Sequence, residues 1–498
     1  MAILAAGVGY SVRGGILGQW AEQFGFTMTE LGTITGGGLT GFGIVIILSS
    51  LVADKIGYGK LMIAAFLLHL ISAVMTLATP MAFTAGGKDA AFQCLFWGMF
   101  IFAIGNGLCE AVVNPMTAAL FPKNKTHYLN ILHAGWPAGL VCGGLASFFM
   151  ADQVNEAGEI LRKAVDWKIQ MSLFLIPVVA YGAMLIGQKF PKSEAESAGT
   201  TLSEMLGTVV APLMIVLLII HAMVGYVELG TDSWIPKITG AIMANAAYGL
   251  ALFVYTSLLM FTLRFFAGPI VHRISPLGLL FVSAILGATG LTLLGNASTI
   301  PVCIFAATIY ACGKTFLWPT MLAVASEQFP KGGAVSIGVL GGVGMLSAGL
   351  LGGPAIGFKQ DYNASAELKN VSAETYDRYK ASSESSFFGF KTVGLDGAKV
   401  AILEDNGKEL ARATELSQKD GKEDKNLNAL NQWWDSAKEF ASTDKAPTKA
   451  AGIYGGKKAL QYTAYVPATM AILYLLLILY FQAKGGYKAK SIDGSTAH

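Results

Sequence analysis

Twelve apolar stretches, each long enough to cross a bilayer as a helix, recur along the chain at 2–20, 31–53, 60–80, 91–117, 129–150, 169–188, 208–228, 243–267, 277–295, 299–323, 334–357 and 460–483. Their length predicts helices, because barrel strands are short and alternate polar with apolar residues. A helix also satisfies its own backbone hydrogen bonds where no water is present. The pattern therefore predicts an all-α membrane protein. One stretch interrupts it. Residues 358–459 are polar and rich in lysine and glutamate, with pieces such as AETYDRYKASSES and NALNQWWDSAKEF. They read as a partly helical, partly disordered insertion outside the cytoplasm, with Trp433–Trp434 the one hint of a cap or partner-binding module.

The polar positions between the runs set an orientation. Lys55 and Lys60 follow the second helix, Lys123 and Lys125 the fourth, Lys189 and Lys192 the sixth, Arg273 the eighth, Lys331 the tenth, and Lys484, Lys488 and Lys490 the twelfth. All fall on one side if both termini are cytoplasmic, as basic loop residues prefer. The opposite loops are mixed or acidic; 151–168, with Asp152, Glu156 and Glu159, is the least regular.

The halves also repeat. ADKIGYGKLM (53–62) is echoed by VHRISPLGLL (271–280), VGY at 8–10 by VGY at 224–226, and Asn114–Pro115 with a later FPK by Trp318–Pro319 with a later FPK. Helices one, two and four thus pair with seven, eight and ten. Same-order repeats of six helices predict two pseudo-symmetric six-helix bundles with a cavity between them. The expected divisions are 1–188 for the first bundle, 189–207 for a cytoplasmic linker and 208–357 for helices seven to eleven. The insertion 358–459, helix twelve at 460–483 and a cytoplasmic tail 484–498 complete the chain.

Composition agrees: 53% of residues are hydrophobic and 13% charged, against about a quarter charged in soluble domains. A net charge of +3, scattered along the chain, does not suggest nucleic acid. The five cysteines (Cys94, Cys109, Cys142, Cys303, Cys312) lie in apolar runs without metal or disulfide spacing. No metal site and no organic cofactor is expected. GxSxG, HExxH and Walker-type loops are missing from the sequence, which argues against an enzyme and against an ATP-driven pump.

The chemistry sits in the charges inside the spans. Glu110 lies five residues before Pro115, and Lys314 five before Pro319; Arg13 follows Tyr10 in helix one, and Glu228 follows Tyr226 in helix seven. A charge at such depth is costly and faces a bundle interior or water. The four are expected around a common cavity, with Glu110 and Lys314 as an ion pair. The plainer alternatives are Arg13 snorkelling to an interface, Glu228 solvated at a helix end beside Asp232, and a purely structural Glu110–Lys314 pair. A carboxylate that opens and closes an ion pair is suited to coupling, which nominates Glu110 and Glu228. His133 either titrates with them or is a core histidine bonded to a carbonyl. Gln19, Asn106, Asn114, Trp136, Trp234 and Trp318, with Arg13, Asp232 and Lys314, supply donors, acceptors and aromatic faces for a substrate. Trp20 and Trp97 read as interfacial or packing residues.

GLCEAVVNP followed by LNILHAGWPAGLVCGG resembles the fucose permease-like sugar:proton symporter branch of the major facilitator superfamily. The resemblance implies twelve helices, a central sugar site, alternating access and proton coupling, with Glu110 as the fourth-helix acid and Asn114–Pro115 as its Asn-Pro. SSLVADKIGYGK is similar to the superfamily's loop motif between helices two and three, which implies conformational gating by Asp54 and Gly57. VELGTDSWIP is like the seventh-helix Glu…Trp pattern of sugar-transporting relatives. The branch has an Asp in helix one where this chain has Arg13–Gly14.

The expectation is a monomeric secondary carrier of a monosaccharide-like sugar in a bacterial inner membrane, coupled to protons, with sodium as the alternative ion. Two rivals remain. Arg13 and Lys314 could clamp an anionic sugar or other carboxylate. Alternatively, the bundle could serve a sensor or assembly factor that acts through 358–459.

Overall fold

The computed structural model of the chain describes residues 1–26, 28–151, 153–154, 160–419 and 425–492. Asp152, Glu156 and Glu159 of the irregular loop lie outside them. Ten helical stretches among the described residues are long and apolar enough to cross a membrane. One of these, Tyr58–Leu120, contains helices three and four, divided at Gly87, whose φ is 70°. The first span is broken at Ile16 into Ala2–Gly15 and Leu17–Phe24 and supplies the remaining helix.

Helix two is Met28–Ile56, helix five Lys125–Met150, and helix six Trp167–Ser172 with Leu175–Leu185. Helix seven runs as Pro212–Gly225, a π-helical stretch Tyr226–Gly230, and Ile235–Ile242. Helix eight is Ala246–Arg264; the run Ala267–Asn296 breaks at Ser275 and holds helix nine beyond it. Helix ten is Ile300–Lys314 with Leu317–Gln328. Helix eleven comprises Gly333–Ser347, a second π stretch Ala348–Gly352, and Gly353–Val371. Helix twelve joins Ala441–Thr463 to Tyr465–Ala483.

Each six-helix half has its own apolar core, the first around Trp20, Phe102 and Phe174, the second around Leu280, Tyr310 and Tyr474. Gly57, at φ 91°, makes the turn between helices two and three, a backbone conformation glycine adopts without steric penalty. On the side of this turn the halves meet. Gly338 packs on Ser50, and Gly342 on Ile47 and the backbone of Gly43. Asn130 donates to Thr320 Oγ1 at 3.2 Å, and Thr126 to Glu327 Oε1 at 3.0 Å. Toward the opposite side, helix one exposes Tyr10, Gly14 and Gly18, and helix seven exposes Ser233.

The helices run on across the sequence boundaries 358 and 459. Helices eleven and twelve continue outward as a packed antiparallel pair, with Gly455 set against the backbone of Gln360 and Ala364. Between their ends lie the helices Ala373–Tyr379, Gly397–Asp405, Lys408–Lys419 and Lys425–Ala437 and a hairpin of Ser385–Phe387 with Phe390–Thr392. Tyr379, Leu403 and Ala441 form a small core there, against which Trp433 and Trp434 pack. Arg378 pairs with the buried Asp444 at 2.7 Å. The tryptophan pair thus serves the arm's own packing.

Candidate functional site

A cavity lies between the halves, and its wall includes Asn106, Glu110, His133, Trp136, Glu228, Arg264 and Trp318 together with apolar Phe42, Leu229 and Met345. A mainly apolar wall with a few convergent polar groups is the usual make-up of a small-molecule site. Trp136 on helix five and Trp318 on helix ten each precede a proline, and both line the cavity.

On the first half, Glu110 is held by neutral groups. Asn114, one turn along helix four, donates from Nδ2 to Glu110 Oε2 at 2.5 Å, and its Oδ1 accepts from His133 Nε2 at 2.8 Å. Among the described residues no lysine or arginine lies within ion-pair distance of Glu110; His133 Nε2 is 3.9 Å from its Oε2. Behind this group, Asn106 Oδ1 meets His69 Nε2 at 3.0 Å, and His69 Nδ1 meets the Tyr181 hydroxyl at 2.7 Å.

On the second half, Glu228 pairs with Arg264 at 3.0 Å, both buried. Arg264 was not singled out by the sequence, although it stands inside the predicted eighth run; a cation near the end of a span reads as snorkelling toward headgroups. It instead points inward. Its Nε donates to the Thr315 carbonyl at 2.9 Å, and its Nη1 donates to the His133 carbonyl across the interface between the halves. Both carbonyls lie four residues before a proline, Pro319 and Pro137. Proline has no N–H to complete the intrahelical bond, so each of these oxygens is free to accept from a side chain. The prolines of helices five and ten thereby build a socket for one guanidinium.

The π stretch Tyr226–Gly230 carries Glu228 and lies against the π stretch of helix eleven, Gly230 touching the backbone of Gly352. Such widened turns interrupt the regular ladder and recur at functional sites. Glu228 Oε2 is buried and has no protein hydrogen-bond partner.

The remaining charges do not follow the expected pairing. Lys314 does not reach Glu110; its Nζ is bound by both oxygens of Asp232, at 2.5 and 2.6 Å. Asp232, one turn beyond Glu228, takes the cation because helices seven and ten belong to one bundle, whereas Glu110 lies across the cavity. Arg13 is not in the cavity wall. It packs inside the first half, its guanidinium 4.1 Å from the centre of the Phe102 ring and 4.8 Å from that of Phe174. It donates to Ser72 Oγ at 2.7 Å and to the Gly9 carbonyl at 3.2 Å. Rotation of helix one turns Tyr10 to the open side and Arg13 away from it. Four charges around one cavity are therefore replaced by Glu110, Glu228 and Arg264 in its wall.

Other candidates lie elsewhere. Gln19 donates to the Val165 carbonyl at 3.1 Å and Trp234 to the Gly353 carbonyl at 2.9 Å, and neither is in the cavity wall. Trp20 is fully buried against Trp167, whereas Trp97 is 47% exposed. Asp54, beside the Gly57 turn, has its carboxylate near Gly333, where helix eleven begins, so that it sits at a contact between the halves.

Known proteins share this architecture. The family model of the Major Facilitator Superfamily matches residues 1–353. The E. coli fucose:proton symporter FucP superposes with a TM-score of 0.59 at 14% identity, over 95% of this chain and 97% of that one. A bacterial homologue of the human lysosomal transporter Spinster, in an inward-facing state, gives 0.60 at 14% identity over 98% and 96%. The xylose transporter XylE from E. coli gives 0.54 at 15% identity over 70% and 89%. At these identities the likeness is one of fold. No curated protein matches the chain by sequence. With twelve membrane-spanning helices in two bundles, and a family match over more than two thirds of its length, the chain belongs to the major facilitator superfamily and is a membrane transporter, not an enzyme.

Proposed function

We propose that this transporter carries a neutral, monosaccharide-like sugar by alternating access and couples its movement to protons through Glu110. The observation that carries the proposal is the composition of the cavity wall: two tryptophans together with a small set of hydrogen-bonding side chains. Aromatic faces suit the C–H surface of a sugar ring, and Asn106 and the unpartnered oxygen of Glu228 suit its hydroxyls. FucP, similar in fold, is a fucose:proton symporter.

Proton coupling rests on the unequal surroundings of two acids. Glu228 has the Arg264 guanidinium; Glu110 has an amide and an imidazole. A carboxylate in an apolar wall without a cation at ion-pair distance is the costlier charge, so protonation relieves more at Glu110. With the cavity open away from the Gly57 side, Glu110 takes a proton and the sugar enters between Trp136 and Trp318. Sugar hydroxyls then compete for Glu228, Arg264 loosens from the His133 carbonyl, and the contacts on the Gly57 side part. Loss of the proton to that side returns the carrier. The basic residues of the short loops support a cytoplasmic Gly57 side and cytoplasmic termini, and the proposed location is a bacterial inner membrane.

The anionic-substrate reading has less support. Lys314 is held by Asp232 and Arg264 by Glu228, while Arg13 is enclosed by rings outside the wall. The test is uptake into proteoliposomes under an inward proton gradient, comparing fucose, glucose, galactose and a uronate. Accumulation of a neutral sugar and not of the uronate is expected. Uptake of the uronate alone would overturn the neutral-sugar proposal.

A further inference from the structure

The arm formed by the outer ends of helices eleven and twelve carries an aromatic tip that the transport cycle does not use. The hairpin Ser385–Phe387/Phe390–Thr392 turns at Phe388–Gly389, both at positive φ. Phe388 is 76% exposed and Phe390 70% exposed, although neither belongs to a membrane span. Two phenylalanines flanking Gly389 and held in water by a tight turn are a costly arrangement unless something apolar covers them.

Where the hairpin is held identifies what covers it. The Phe387 ring lies tilted against that of Phe358 of helix eleven, with centroids 6.1 Å apart, and Phe358 in turn stacks on Tyr362 at 6.2 Å. Leu350, Pro354, Phe358 and Tyr362 recur every four residues and so share one face of the helix. Leu350 is 55% exposed and Pro354 is exposed as well, so this face points away from the protein at membrane depth. Helix eleven starts at Gly333. Phe358 lies roughly 25 residues further on, or ~37 Å at ~1.5 Å per residue. That is beyond a hydrocarbon core of about 30 Å and within the roughly 40–45 Å that includes headgroups. The hairpin is therefore fixed on a lipid-facing stripe at the height where that stripe leaves the hydrocarbon. On helix twelve Tyr465, 69% exposed, lies ~27 Å from Ala483 by the same rise, close to the edge of the hydrocarbon, so that Phe358 stands beyond that edge at headgroup level. Aromatic side chains are favoured at this level of a bilayer.

We infer that the Phe387–Phe390 tip docks into the headgroup region of the leaflet on the side away from the Gly57 turn, tying the arm, and through it the outer end of helix eleven, to the lipid surface. The partner is the bilayer itself. Phe358 and Tyr362 form the base of the contact, and Phe388 and Phe390 enter the lipid.

The experiment uses the full chain in liposomes, in a Cys142→Ser background to remove the exposed cysteine. An environment-sensitive fluorophore is attached at Phe388→Cys, at Phe390→Cys, or at Asp435→Cys on the distal part of the arm. The labels at 388 and 390 are expected to be blue-shifted and quenched several-fold more strongly by a headgroup-linked nitroxide lipid than the label at 435, with weaker quenching by aqueous iodide. Iodide quenching at 388 and 390 equal to that at 435 would overturn the inference. So would protection that persists unchanged in detergent without quenching by the nitroxide lipid, since the tip would then be covered by protein.

Discussion

Arg264 holds acceptors from three helices at once: Glu228 on helix seven, the Thr315 carbonyl on helix ten and the His133 carbonyl on helix five. Removing one member of a buried ion pair strands the other, typically at a cost of about 3–5 kcal/mol. Arg264→Gln is therefore expected to lower the melting temperature in detergent and to abolish uptake. Combining it with Glu228→Gln removes the stranded charge; the melting temperature should recover while uptake stays lost. If the double variant melts as low as the single one, the ion pair is not the source of the destabilisation. At this scale the sequence was legible in part. Glu110, Glu228, His133, Asn106, Trp136 and Trp318 were all nominated and all line the cavity. Arg13 and Lys314 were nominated with them and lie elsewhere, because hydrophobic spacing fixes a residue's height in the membrane but not the rotation of its helix. The choice of Asp232 by Lys314 depends on which helices are neighbours, which no single span records.

Helices five and ten are interrupted where the chemistry needs a free carbonyl. Pro137 and Pro319 each withhold an N–H from the oxygen four residues earlier, and Arg264 uses both oxygens. Pro137→Ala supplies the missing N–H and sets the helix in competition with Arg264 for the His133 carbonyl. One hydrogen bond of about 1 kcal/mol weakened across the interface should raise the population open on the Gly57 side by about fivefold. Labelling of Ala119→Cys by a membrane-impermeant thiol reagent applied on that side reports it. An unchanged labelling rate would show that the prolines do not set the grip of Arg264. The span limits were legible from hydropathy except in helix seven, which passes its predicted end at 228 and reaches Ile242, and in helices eleven and twelve. Helix eleven passes its predicted end at 357 and continues to Val371, and helix twelve begins at Ala441 rather than 460. Hydropathy registers where lipid ends, whereas these helices persist in water because they pack against each other through Gly455. The proline socket was visible as two Trp-Pro pairs, but its purpose required the position of Arg264.

As a whole, the molecule is two bundles joined on one side and parted on the other. Part of the joint is made by the tail that follows helix twelve: the Tyr487 hydroxyl donates to Glu327 Oε2 at 2.6 Å, while Thr126 of the first half donates to Oε1 of the same carboxylate. The Lys490 N–H and the Lys488 carbonyl add bonds to Glu327 and Gln328. A hydrogen bond to a charged group contributes about 1.5–3 kcal/mol. Tyr487→Phe should therefore loosen the Gly57 side, seen as a larger long-distance population between spin labels at Lys123→Cys and Lys331→Cys. Identical distance distributions would remove the tail from the joint. The two-bundle plan was readable from the repeats, since VGY and the Pro–FPK pairs recur in the same order in both halves. The closed side was not, because it depends on side chains from opposite halves meeting, such as Asn130 with Thr320.

The central claim is that Glu110 carries the coupling proton. The most direct measurement compares wild type with Glu110→Gln in proteoliposomes, for a transported sugar, in two assays: accumulation driven by an inward proton gradient, and exchange of labelled for unlabelled sugar with no gradient. Glutamine keeps the Asn114 contact and cannot ionise. The account predicts that exchange persists and gradient-driven accumulation is lost. Accumulation by Glu110→Gln at the wild-type level would contradict it and move the coupling site to Glu228.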